Sequence, residues 1–166
     1  MSQAVEKVTL PSHVCSKIDE WIVRYPPEQK RSGVFEALRL MQEENGGFLT
    51  IPILDAVADY LDMPKIGVYE VATFFTMFRL NPHGRHVIEL CTNVSCMLNG
   101  AEELLEYLKT VLEVDINEIS KDGLFTIKEV ECLGACVNAP VCQIGTEYHE
   151  GLTRAKLDQL IATLRG

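Results

Sequence analysis

Six cysteines stand in this 166-residue chain, and four of them fall into two close pairs. Cys91-Thr92-Asn93-Val94-Ser95-Cys96 is a C-x4-C pair, and Cys132-Leu133-Gly134-Ala135-Cys136 is a C-x3-C pair thirty-five residues further on. Thiolates are the ligands of soft metal centres. A [2Fe–2S] cluster offers two irons, each open to two protein thiolates, so Cys91 and Cys96 suit one iron and Cys132 and Cys136 the other. Gly134 lies inside the second pair, where a missing side chain lets backbone N–H groups approach sulfur and offset the negative charge of a cluster. Structural zinc also takes closely spaced cysteine pairs, so the spacing alone leaves a four-cysteine zinc site open. The C-x2-C signature of a redox-active disulfide is absent, and two tight pairs argue against a set of inert buried thiols.

The remaining candidate ligands read as structural. Cys15 is solitary and sits in a helical pattern. Cys142 follows Cys136 by six residues but lies in the apolar run Val141-Cys142-Gln143-Ile144, where a free cysteine packs as a small hydrophobe. His13, His83, His86 and His149 are scattered without ligand spacing and are expected to be structural or solvent-facing. There is no G-x-G-x-x-G, P-loop or G-x-S-x-G motif. The chain is therefore expected to carry no nucleotide or flavin pocket, and no active site of its own.

The pairs must be positioned by what surrounds them. His86-Val87-Ile88-Glu89-Leu90 reads as a strand leading into Cys91, and the alternation from Leu124 to Val130 reads as a strand delivering Cys132. Between them, Asn99 with Glu102 three residues on looks like a capping box opening a helix from about Gly100 to Glu113. Val141–Ile144 reads as a third strand, a little more strand is expected around Tyr148, and Thr153 caps a last helix carrying Leu157, Leu160, Ile161 and Leu164. This strand–helix–strand–strand–helix order is compatible with a thioredoxin-like fold, in which Pro140 stands at a position that often carries a cis bond. The part before the turn-rich Asn81-Pro82-His83-Gly84-Arg85 reads as four short helices: one following Pro11 with Val14, Ile18, Trp21, Ile22 and Tyr25 inward, one from about Arg31 to Glu44, one starting at Pro52 and one at Pro64. The last ends in Val71-Ala72-Thr73-Phe74-Phe75-Thr76-Met77-Phe78. Its aromatic residues are expected in the core, with a partner-facing surface as the second reading.

Composition bounds the rest. With 47% hydrophobic and 23% charged residues the chain is of ordinary globular make-up, and a net charge of −9 disfavours nucleic acid, whose phosphates need a basic surface. No apolar run reaches the roughly 18 residues of a membrane span. Met1-Ser2-Gln3-Ala4-Val5-Glu6-Lys7 lacks the apolar core of a signal peptide, which points to an intracellular chain with few structural disulfides.

Taken together, Val71-Ala72-Thr73-Phe74-Phe75, Gly84-Arg85-His86, the C-x4-C pair with Gly100, and Cys132-Leu133-Gly134-x-Cys136 with Ala139-Pro140 resemble the E-type [2Fe–2S] subunit family of bacterial NADH–quinone oxidoreductase, respiratory complex I. The likeness runs from about residue 10 to the end. It implies an α/β chain with an N-terminal helical bundle (1–80) followed by a thioredoxin-like [2Fe–2S] ferredoxin domain (81–166). It also implies one [2Fe–2S] cluster on Cys91, Cys96, Cys132 and Cys136. The partner implied is a larger subunit holding FMN and the NADH site, paired tightly with this chain among other peripheral-arm subunits. The location implied is cytoplasmic, peripheral on the inner face of the plasma membrane without direct insertion. The role implied is exchange of single electrons with that flavin. Subunits of NAD-reducing hydrogenases and NAD-dependent formate dehydrogenases are similar in the same motifs. The reading from another class is a zinc-stabilised interaction module.

Overall fold

The computed structural model describes residues 8–166; the stretch read for a signal peptide lies outside them. The chain divides into two compact units, one ending at Pro82 and one comprising His83–Gly166.

The first unit is helical. Helix α1 spans Ser12–Ile22, α2 Val34–Glu44, α3 Ile51–Leu61 and α4 Lys65–Phe74. Proline fixes the backbone where helices begin: Pro11 and Pro64 are the cap residues of α1 and α4, and Pro52 sits in the first turn of α3, where its missing N–H costs nothing. Helix α1 is shorter than its apolar spacing suggests. It ends at Ile22 and buries Val14 and Ile18, while Tyr25 lies beyond it and is exposed. The segment expected to open α2 is a 3-10 turn, Pro27–Gly33, with Gln29 outside helical geometry. Ile18, Leu38, Leu49, Val57, Leu61 and Val68 form the centre of this unit's core. Each helix is too short to hold alone, so this shared apolar centre supplies most of its stability.

The aromatic run after α4 does not behave as one stripe. Phe78 is buried, and its ring meets Phe35 edge-on with centroids 5.0 Å apart. Phe74, by contrast, is 77% exposed, and Phe75 and Met77 are also largely outside the core. The expectation of a core stripe therefore holds for Phe78 and fails for Phe74. Helix α4 ends at Phe74 and Phe75 turns extended, so the helical spacing that would bury Phe74 together with Phe78 is broken.

The second unit is a four-stranded mixed sheet with helices. Strand β1 spans His86–Cys91, β2 Phe125–Val130, β3 Val141–Ile144 and β4 Glu147–Glu150, in spatial order β2-β1-β3-β4. Strands β1 and β2 are parallel, β3 runs antiparallel to β1, and β4 antiparallel to β3. The β1–β2 crossover contains two helices, α5 at Val94–Leu98 and α6 at Ala101–Leu112. The expected capping box at Asn99 is not formed. Asn99 ends α5, its side-chain amide donating to the Ser95 carbonyl at 2.7 Å, and Gly100 is the cap residue of α6. Helix α7, Arg154–Arg165, starts as expected from Thr153, whose Oγ1 accepts the Lys156 N–H at 3.2 Å. Leu104, Leu105, Leu108 and Leu112 from α6 and Leu157 and Ile161 from α7 share one core with Ile88, Leu90, Phe125, Ile127 and Cys142 of the sheet. The Ala139–Pro140 bond is cis.

Candidate metal centre

Parallel pairing decides where the cysteines go. Cys91 is the last residue of β1 and lies opposite Val130, the last of β2. The chain beyond each strand therefore leaves the sheet at the same edge, and Cys132 follows two residues after Val130. Strand β3 enters from that edge too: Leu90 pairs with Cys142, so Val141 comes in beside Cys91. Three backbone segments thus converge on one corner of the sheet.

The first pair faces inward. Cys91 is 2% exposed, and its Sγ donates to the Glu131 carbonyl at 3.7 Å. Asn93 caps α5 by accepting the Val94 N–H on Oδ1 at 2.7 Å, and one turn of helix then aims Cys96, 1% exposed, into the same corner. Burial pushes the Cys96 thiol up; its hydrogen bond with Cys91 and the nearby Cys136 sulfur add to this, while the Val141 N–H opposes it. Around the two thiols lie Ala101 and Val141, with Val130, Leu133, Ala135 and Ala139 at the margin.

The second pair is carried outward. Cys132 and Cys136 are exposed, on the loop between β2 and β3 and at the start of a short 3-10 turn, Cys136–Asn138. Gly134 has φ +74° and donates its N–H to Cys132 Sγ at 3.3 Å. The space beside its Cα is open, so glycine is required by the backbone angle and not by crowding. As the side chains stand, no group of three or more His, Cys, Asp or Glu among the described residues is gathered tightly enough to hold a metal ion. Cys91 and Cys96 are brought together with the Cys136 sulfur nearby, while Cys132 Sγ is engaged by the Gly134 N–H.

The chemistry of the corner fits an iron–sulfur group. All four candidate donors are thiols, and metal binding draws the proton from a thiol it ligates. Apolar surroundings and an amide aimed at sulfur are the features that tune such centres. Gly134→Val is expected to cost about 1–2 kcal/mol for the left-handed backbone. It also moves the amide away from Cys132, so the reduction potential of the loaded protein is expected to fall. Thermal unfolding and a potentiometric titration check both; an unchanged potential removes the role given to the amide.

The other sequence candidates stay apart. Cys142 is fully buried in the main core of the second unit, its thiol pushed up to about 12 by burial, which suits packing and not ligation. Cys15 lies in α1 and donates to the Leu10 carbonyl at 3.8 Å. His13 pairs with Glu44 at 3.0 Å, and His83 Nδ1 lies 2.7 Å from the Gly84 carbonyl oxygen. Sequence reading missed α5 and the Asn93 cap, although Asn followed by three helix-compatible residues is the usual signal. It also missed the Val141 amide, which no local pattern announces.

Fold and site together define a ferredoxin-type module: residues 18–165 match the family model described as thioredoxin-like [2Fe–2S] ferredoxin, and the chain belongs to that family. Within it the chain is similar to the E-type subunits of NADH-quinone oxidoreductase, with 45% identity over 150 residues to that of Rickettsia bellii (strain RML369-C), covering 90% of each. Against the corresponding protein of Rickettsia conorii (strain ATCC VR-613 / Malish 7) identity is 41% over 165 residues, 99% of each chain. Among solved structures, an NAD+-reducing [NiFe]-hydrogenase in the air-oxidised state superposes with TM-score 0.68 at 20% identity over 80% of this chain. That overlap is 23% of the hydrogenase chain, and at such identity it speaks to the fold alone.

Proposed function

We propose that Cys91, Cys96, Cys132 and Cys136 hold one [2Fe–2S] cluster and that the chain is an electron-transfer subunit of an NADH-quinone oxidoreductase. The observation that carries this is the parallel β1–β2 pairing, which sends both cysteine segments out at one sheet edge beside a small apolar cluster. The near end-to-end likeness to the Rickettsia relatives supports the complex. A bound cluster supplies a one-electron carrier. The chain's own residues do the rest. Cys91 and Cys96 anchor it, Ala101 and Val141 exclude water, and the Gly134 N–H offsets charge on Cys132. The electron partner is the FMN of an NADH-oxidising subunit in a tight heterodimer, on the cytoplasmic side of the plasma membrane. Among the described residues no helix is long and apolar enough to cross a membrane, consistent with peripheral association. Visible absorption and EPR of the purified chain test the reading: a red-brown protein with a reducible binuclear signal supports it, and a colourless zinc-loaded one refutes it.

Docking of the flavin subunit is assigned to the first unit, where Glu70, Val71, Thr73, Phe74 and Phe75 line an open hollow of about 590 Å³. Phe74→Ser is expected to leave stability within about 0.5 kcal/mol, as for an exposed site. It is expected to weaken association by about 1–3 kcal/mol, as for an aromatic interface anchor. Titration calorimetry with the flavin subunit reads the second number; unchanged affinity moves the interface elsewhere.

A further inference from the structure

The two cysteine pairs differ in access, and that difference orders their work. Cys91 and Cys96 are 2% and 1% exposed, closed in by Ala101 and Val141. Cys132 and Cys136 are exposed on a loop beside Val137, itself 97% exposed. A preformed cluster reaches a protein already held by donor thiolates, and exchange requires the incoming sulfur to touch iron while the donor still grips it. Thiol exchange depends on access in the same way. Sulfurs buried beneath the sheet edge cannot meet iron carried on another molecule, whereas sulfurs on an open loop can.

We infer that Cys132 and Cys136 are the receiving pair for a thiolate-ligated [2Fe–2S] group, and that Cys91 and Cys96 close on it second. This rests on the four-thiol site proposed above. Each exchange is redox-neutral. An iron–sulfur bond to the donor breaks, one to Cys132 or Cys136 forms, and the proton of the cysteine thiol passes to the released donor thiolate. The Gly134 N–H already donates to Cys132 Sγ at 3.3 Å. Once the outer iron is held, displacement of the remaining two donor thiolates by Cys91 and Cys96 is intramolecular and needs no further encounter.

The experiment uses the full, reduced, iron-free chain and a glutathione-ligated [2Fe–2S] complex as donor. In the Cys91→Ser/Cys96→Ser variant, native mass spectrometry is expected to trap a species carrying two irons, two sulfides and two glutathiones. In Cys132→Ser/Cys136→Ser the same species is expected to be at least about tenfold rarer at equal times. Equal or greater trapping by the second variant overturns the order. Alkylation of the iron-free wild type, mapped by peptide, keeps the test independent of serine effects: Cys132 and Cys136 are expected to react on the order of tenfold or more faster than Cys91 and Cys96. Equal rates overturn the proposal as well. Failure of the underlying four-thiol reading looks different, since the wild type then never acquires the visible spectrum of the donor's cluster.

Discussion

Cys96→Ser is expected to leave the purified chain essentially colourless, while Cys142→Ser keeps the full visible spectrum. Both residues are buried cysteines of one unit, and both thiols are pushed up by burial, so the contrast isolates position from chemistry. Cys96 shares its corner with Cys91 and the approach of Cys136, whereas Cys142 packs among Ile88, Leu90 and Leu157. Loss of residues that merely support a ligand already costs 10–100-fold in metal affinity, so loss of the ligand itself is expected to cost at least about 100-fold. Serine at position 142 instead buries a hydroxyl in an apolar core and is expected to cost about 1–3 kcal/mol of stability. Iron and sulfide analysis beside thermal unfolding separates the two effects. Were Cys142→Ser the colourless variant, the ligand set would have to be redrawn around β3.

Gly84→Ala is expected to be the most damaging single-methyl change in the second unit. A Cβ there would stand 2.5 Å from the backbone carbon of Phe125 and 2.7 Å from its nitrogen and oxygen, so backbone and not a side-chain tip must give way. The same approach lets Gly84 N–H donate to Thr126 Oγ1 at 2.8 Å, in a stretch where His86 N–H also donates to the Leu124 carbonyl at 2.7 Å. These contacts set the register at which β1 starts alongside β2, and that register carries Cys91 and Cys132 to one edge. Overpacking of this kind is expected to cost roughly 3 kcal/mol. For a unit of this size that is a fall of roughly 12 °C or more in Tm. A Tm within a degree or so of wild type would mean that the two backbones do not approach at Gly84. Cluster content is expected to fall with stability, and low temperature is expected to restore part of it.

Much of the second unit was legible because its signals are local. Alternation marked β1 and β2, a threonine before an apolar helical pattern marked α7, and Pro140 marked the entry to β3. The α5–α6 break was harder: Val94–Leu98 is one turn too short to show a period, and Asn99 resembles a start although it serves as an end. In the first unit, Val14 and Ile18 were found by spacing, but Tyr25 carries the same spacing past the point where α1 stops. Phe74 and Phe78 share one residue type four positions apart, yet one is exposed and one buried, because the helix ends between them.

The order of the chain alone determined which sulfurs are candidates and that they come as two pairs, since ligand type and spacing are properties of the polymer. It also determined the family, because those pairs stand with Gly84, Gly134 and Pro140 in one pattern. Only the tertiary structure decided that the pairs are unequal, one sealed beneath Ala101 and Val141 and the other open on a loop. Burial is a relation between segments far apart in sequence. The neighbours of Cys96 come from positions 91, 136 and 141, and no local pattern reports which of them arrive.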